Sequence, residues 1–160
     1  FERTITLDEK YFFTIKQKII NNSNKNYKFY PYAFLHRNNV PEDLTDFYIL
    51  HEGFVTVCDG ELEEVDYDDV EEKKIVREAD EGWLGITDKF WVMALVPAKG
   101  ENFKSTFLFK NGFKANYIVN NPKIIKPASS NSNVPPGKLD SWSVTRLFLN
   151  PTENSSYDPR

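Results

Sequence analysis

The chain has 160 residues, of which 40% are hydrophobic and 15% aromatic, and a net charge of −4. That length supports one domain with a core of its own, and the negative balance argues against a general nucleic-acid binder. A single cysteine, Cys58, excludes an intrachain disulfide and a cysteine-based metal centre.

The first residues, FERTITL (1–7), alternate between apolar and polar positions, as do YFFTIKQKII (11–20). The short connection Asp8-Glu9-Lys10 joins them as a hairpin. NNSNKN (21–26) reads as a polar turn and KFYPYAFLHR (28–37) as a third strand. Pro31 has no N–H to donate, so that strand is expected at an edge or a bulge. A short helix is expected near residues 41–48, followed by a strand over GFVTVCDGEL (53–62) that ends in a turn at Asp59-Gly60. Residues 59–81 hold twelve acidic and three basic side chains, a balance of −9, and leave the rest of the chain at +5. Such a run reads as a solvated, mobile acidic insert.

The run FWVMALV (90–96) is apolar at every position. It is far shorter than the ~20 residues that cross a bilayer. Gly82, Gly85 and Pro97 punctuate it, so it reads as a central strand covered on both faces. NFKSTFLFK (102–110) and FKANYIVN (113–120) flank Asn111-Gly112, the strongest short hairpin signal in the chain. Phe103, Phe107, Phe109 and Phe113 form a repeated aromatic set expected in the core. KIIKP (123–127) is a short strand, 128–142 is linker-like, 143–150 a last strand and 151–160 a polar tail. Seven to nine strands with at most one or two short helices make an all-β chain, and a β-sandwich is its natural architecture.

Glycine-rich phosphate loops, nucleophile elbows and HExxH motifs are absent from the sequence. His36 and His51 are the only histidines, and with Glu52 they are the candidates for a sugar-binding or mutarotase-like cleft. Cys58 reads as a small buried hydrophobe. The carboxylates around Asp66-Tyr67-Asp68-Asp69 loosely match a calcium loop but lack its central glycine and closing glutamate. A docking surface for a basic partner is the other reading of that run. No catalytic residue, cofactor or metal site is assigned. The chain begins at Phe1 without an initiator methionine or signal segment, as expected of a piece of a longer protein.

Taken whole, GWLGITDKFWVMALVP (82–97) resembles the Gly-Trp-aliphatic-Gly-x-x-Asp-Lys-aromatic-aromatic segment of the periplasmic domain of the YidC membrane protein insertase family, alphaproteobacterial type. FERTITLDEKYFFTIKQKIINNSNK, FKNGFKANYIV and TRLF (145–148) follow that domain in the same order. The likeness runs to about residue 127, and residues 128–142 and the tail after TRLF depart from it. It implies a β-supersandwich, similar to galactose-mutarotase-like folds, of which residues 1–127 form the C-terminal part. It further implies a non-catalytic domain at the periplasmic face of the bacterial inner membrane, anchored through segments absent from this chain. The implied partners are SecD/SecF-type translocon subunits and nascent membrane proteins. Within that reading, Glu63, Glu64, Asp66 and Asp68 are the candidate partner-binding residues. A carbohydrate-binding or mutarotase-like module is the alternative.

Overall fold

The computed structural model describes residues 1–41, 51–89 and 91–127, and the backbone of 142–151. Residues 42–48 of the expected helix and 128–141 of the linker expected over 128–142 lie outside the described residues, and Trp142 already belongs to the last strand. Thirteen strands and one short helix are present among those described, arranged in antiparallel sheets. The strands are β1 (Glu2–Leu7), β2 (Phe12–Lys18), β3 (Tyr27–Phe29), β4 (Tyr32–Arg37), β5 (Gly53–Cys58) and β6 (Glu61–Val65). After α1 (Tyr67–Glu72) come β7 (Ile75–Ala79), β8 (Gly82–Thr87), β9 (Trp91–Val96), β10 (Phe103–Phe109), β11 (Phe113–Val119), β12 (Lys123–Ile125) and β13 (Trp142–Pro151).

One sheet has seven strands in the order β1-β2-β13-β9-β8-β5-β6. A second has four, β4-β11-β10-β7, and β12 pairs with β3 in a small third. The all-β sandwich expected from the sequence is therefore what forms. Both hairpins read from alternation are present, Glu2↔Lys18 to Leu7↔Phe13 and Phe103↔Val119 to Phe109↔Phe113. At the first turn the Asp8 carboxylate accepts the Lys10 and Phe12 amides at 2.8 and 3.0 Å. At the second, Asn111 and Gly112 both take positive φ, 53° and 114°, which is the backbone a type I′ turn requires.

The core lies between the two larger sheets. Phe54, Leu84, Ile86 and Leu95 meet Phe103, Phe107, Phe113, Ala115, Tyr117 and Val119. Phe54 is its centre, with ring centroids 4.9 Å from Phe107, 5.6 Å from Tyr67 and 6.0 Å from Phe113. Phe109, expected to join this set, is 45% exposed and touches only its rim, 4.7 Å from the Phe113 ring.

Trp91–Val96 of the apolar run form β9, fourth of seven strands. Leu95 on one face and Ala94 on the other are both buried, whereas Trp91 at its start is 54% exposed. GWLGIT is itself a strand rather than punctuation. A β-carbon at Gly85 would stand 2.4 Å from the Met93 carbonyl oxygen, so the neighbouring strand can approach only a glycine there.

Other expectations are corrected too, beginning with the strand count, thirteen among the described residues against the seven to nine expected. The strand over 28–37 is broken at Pro31 into β3 and β4, which join different sheets; the Pro31 carbonyl instead accepts the Val119 amide at 2.9 Å. The strand read over 53–62 ends as expected in a turn at Asp59 and Gly60, φ 52° and 87°, but the chain returns from it as β6, making a β5–β6 hairpin. The acidic run is no mobile loop: it builds β6, α1 and β7. Val65, Tyr67, Val70, Ile75 and Ala79, spaced among the acids, are all buried in the common core.

Truncating Phe54 to alanine is expected to cost ~3–5 kcal/mol by denaturant unfolding. Leu62→Ala, at a position 63% exposed, is expected to stay within ~0.5 kcal/mol.

Candidate protein-contact surface

Between β5 and β8 the chain makes an excursion rich in carboxylates. Its start and finish are tied together: the Asp59 carboxylate accepts the amides of Asp80 and Glu81 at 2.9 and 3.1 Å, and the Asp59 amide donates to the Glu81 carbonyl. Asn102 donates to the Asp80 carboxylate at 2.6 Å. Two of the twelve acids are thus used as turn ligands.

On β6 the side chains alternate. Val65 enters the core, and Glu63, two positions earlier on the same face, reaches Arg77 of β7 through both carboxylate oxygens. This two-pronged pair raises the Arg77 pKa, first through the hydrogen bond. Glu64 points to the other face and is exposed. Asp66 caps α1 with extended backbone but makes no capping hydrogen bond. Its carboxylate stands 3.7 Å from His51 Nδ1 and is 76% exposed. In α1, Tyr67 and Val70 face inward at helical spacing, leaving Asp68, Asp69, Glu71 and Glu72 outside. Asp68 and Asp69 sit in the first turn, where the helix dipole favours negative charge.

The four residues named from the sequence are therefore near one another along the chain but not equivalent. Glu63 is committed to Arg77, while Glu64, Asp66 and Asp68 are outward. Glu64, Asp68, Glu71 and Glu72 enter no ion pair among the described residues. An open hollow of about 480 Å³ separates β6 from β7, and Lys73, Lys74 and Arg77 line it beside Glu63, Glu64 and Asp69. The surface thus presents both signs, with the acids on the outer edge of the seven-stranded sheet.

The residues considered for a sugar cleft do not converge. His36 lies on the exposed outer face of β4, opposite Lys114. His51 precedes β5 and is largely enclosed, its Nε2 hydrogen-bonded to the Phe54 carbonyl at 2.8 Å. Glu52 is buried and accepts the Lys89 amide at 3.0 Å, which anchors the β8–β9 connection. Cys58 is half-buried, 3.4 Å from Thr56 Oγ1. Among the described residues, no group of three or more histidine, cysteine or carboxylate side chains could hold a metal ion.

Sequence reasoning did not single out Tyr67, Arg37 or Asp88. Arg37 on β4 and Asp88 after β8 form an ion pair at 2.8 Å that links the two large sheets. Asp88 also accepts the Trp91 amide at 2.9 Å. Tyr67, 3% exposed, has a hydroxyl with no hydrogen-bond partner among the described residues. Burial pushes its pKa up to about 12; Arg37 opposes that shift, and Asp88 and Glu52 add to it.

Residues 1–135 match the YidC periplasmic domain family. The membrane protein insertase YidC of Pelagibacter ubique is 51% identical over 130 residues, covering 81% of this chain and 23% of that protein. That of Bradyrhizobium diazoefficiens is 41% identical over 108 residues, 67% of this chain and 17% of its own. That of Ruegeria sp. strain TM1040 is 36% identical over 115 residues, 66% and 19% respectively. The chain thus spans about a fifth of the length of these relatives.

Tyr67→Phe is expected to leave stability at neutral pH unchanged or raised, since it removes a buried hydroxyl that lacks a partner. The parent chain holds the tyrosine proton when folded but loses it near pH 10 when unfolded. Its stability relative to Tyr67→Phe should therefore fall from pH 10 to about 12. Paired urea melts across that window check the difference; parallel curves would refute it.

Proposed function

Because the chain belongs to the YidC periplasmic domain family, on the periplasmic side of the inner membrane, we propose that it is a non-catalytic module that assists insertion and folding of inner-membrane proteins through protein contacts. The supporting observation is the 135-residue family match, which includes the central strands and both hairpins. In this reading the whole polypeptide handles nascent membrane proteins, and this module meets SecD/SecF-type translocon subunits.

The contact surface we assign is the outer side of β6 and α1, with Glu64, Asp66 and Asp68 offered to a basic partner. Glu63 acts through Arg77, holding the edge strand against β7. What favours this surface is its chemistry: exposed carboxylates on an edge strand and the helix after it, several in no ion pair among the described residues. Exposed charges of this kind steer association more than they tighten it, and salt screens them over about 8 Å.

The test is photocrosslinking of the complete polypeptide in inner-membrane vesicles, with Glu64 and Asp68 reversed to lysine together. Crosslinks to SecD/SecF-type subunits are expected to fall about tenfold, and the parent crosslinks to weaken with added salt. Unchanged yields in the doubly reversed protein would remove the assignment. Arg77→Ala should reduce the same crosslinks less, because it frees Glu63 without removing a carboxylate.

A further inference from the structure

Half of the twenty basic residues fall in two stretches that contain no acidic residue at all. Residues 11–41 carry Lys16, Lys18, Lys25, Lys28 and Arg37; residues 102–127 carry Lys104, Lys110, Lys114, Lys123 and Lys126. The fold brings these stretches together, since β4 pairs with β11 and β3 with β12.

The same place carries the longest exposed aromatic run. Tyr27, Phe29, Tyr30, Tyr32 and Phe34 occupy five of eight consecutive positions and are 40–52% exposed. They form a ribbon of two ring pairs, one on β3 and one on β4, on either side of Pro31. The Tyr27 and Phe29 rings are 6.3 Å apart, and those of Tyr32 and Phe34 5.9 Å. Phe29, Tyr30 and Tyr32 line one shallow hollow with Lys123. Lys114 Nζ lies 4.8 Å over the Phe34 ring, and Ile118, opposite Tyr32, is also exposed.

We propose that this ribbon docks on a bilayer surface of anionic phospholipid, with the aromatic rings at headgroup level and the lysines against the phosphates. The shape favours a surface over a small ligand. Eight extended residues reach at most ~26 Å, whereas the hollow measures only about 200 Å³, below the ~300 Å³ where ligand pockets begin. Tyrosines with amphipathic rings and lysines with long apolar stems are the side chains that settle at a membrane interface.

The negative net charge does not oppose this. The ribbon strand β4 and β7, the last strand of the acidic segment, are opposite edges of the four-stranded sheet. Three strand spacings of ~4.8 Å put them ~14 Å apart, beyond the ~8 Å over which exposed charges interact at physiological salt. Lys18, Arg37, Lys104 and Lys123 are paired with Glu2, Asp88, Glu78 and Glu101, so the positive charge offered to the bilayer is that of Lys16, Lys25, Lys28, Lys110, Lys114 and Lys126, which enter no ion pair among the described residues. This inference stands independently of the translocon contacts.

The test uses the complete polypeptide reconstituted into phosphatidylglycerol or phosphatidylcholine vesicles on a Cys58→Ser background. Single cysteines at Tyr30→Cys, Phe34→Cys and Glu71→Cys carry a fluorophore, and the quenchers are a headgroup-level nitroxide lipid and aqueous iodide. Lipid quenching at positions 30 and 34 is expected to exceed that at 71 about tenfold in phosphatidylglycerol. It should drop in phosphatidylcholine, in high salt, and with Lys28→Glu and Lys114→Glu, by roughly fivefold for each lysine. These side chains are exposed, and unchanged thermal melts will verify that the variants fold. Equal lipid quenching at 30 and 71 overturns the proposal. So does shielding of 30 and 34 from both quenchers, which would mean that protein, another part of the polypeptide or a second copy, covers the ribbon.

Discussion

Everything in this fold hangs on one buried contact, the Phe54 ring wedged among Phe107, Phe113 and Tyr67. These four rings come from four elements: a strand of the seven-stranded sheet, two strands of the four-stranded sheet, and the helix between β6 and β7. Tilted and edge-on ring pairs of this kind add to the area they bury. Because Tyr67 belongs to the acidic excursion, the same contact that joins the sheets also pins the charged surface in place. A run that would be expelled into solvent by its carboxylates is held by one aromatic ring and four aliphatic side chains.

That balance explains what was and was not legible in the sequence. Where a strand is half-exposed, alternation reports it directly, as in 102–120. Where an Asn-Gly pair must supply positive φ, the turn is named by its residues. The acidic segment misleads because charge dominates its composition while Val65, Tyr67, Val70, Ile75 and Ala79 determine its structure. Gly82 and Gly85 mislead in the same way. They read as stops, but Gly85 lies within a strand because a neighbouring carbonyl needs the space of its missing β-carbon.

The candidate surface was legible by charge and not by direction. Glu63 and Glu64 are adjacent in sequence, yet strand alternation sends one to Arg77 and the other outward. A list of acids cannot distinguish them, since the distinction depends on where β7 lies. The Arg37–Asp88 pair shows the same limit. Fifty-one residues separate its members, and no local pattern announces that they close one end of the sandwich.

The position of β13 has a consequence for the order of events in synthesis. β2 pairs with β1 and with β13 only, and the latter pairing joins Lys18 to Trp142. The first hairpin therefore emerges from the ribosome long before the strand that docks it onto the large sheet. Until then it can hold its own turn, but no other strand among the described residues pairs with it. The sandwich of β4 through β11 can assemble in the meantime, because its pairings lie within residues 32–119. Within these residues the β1–β2 hairpin thus precedes its docking strand by the whole length of β3 to β12, and closing so long a loop should be a slow step.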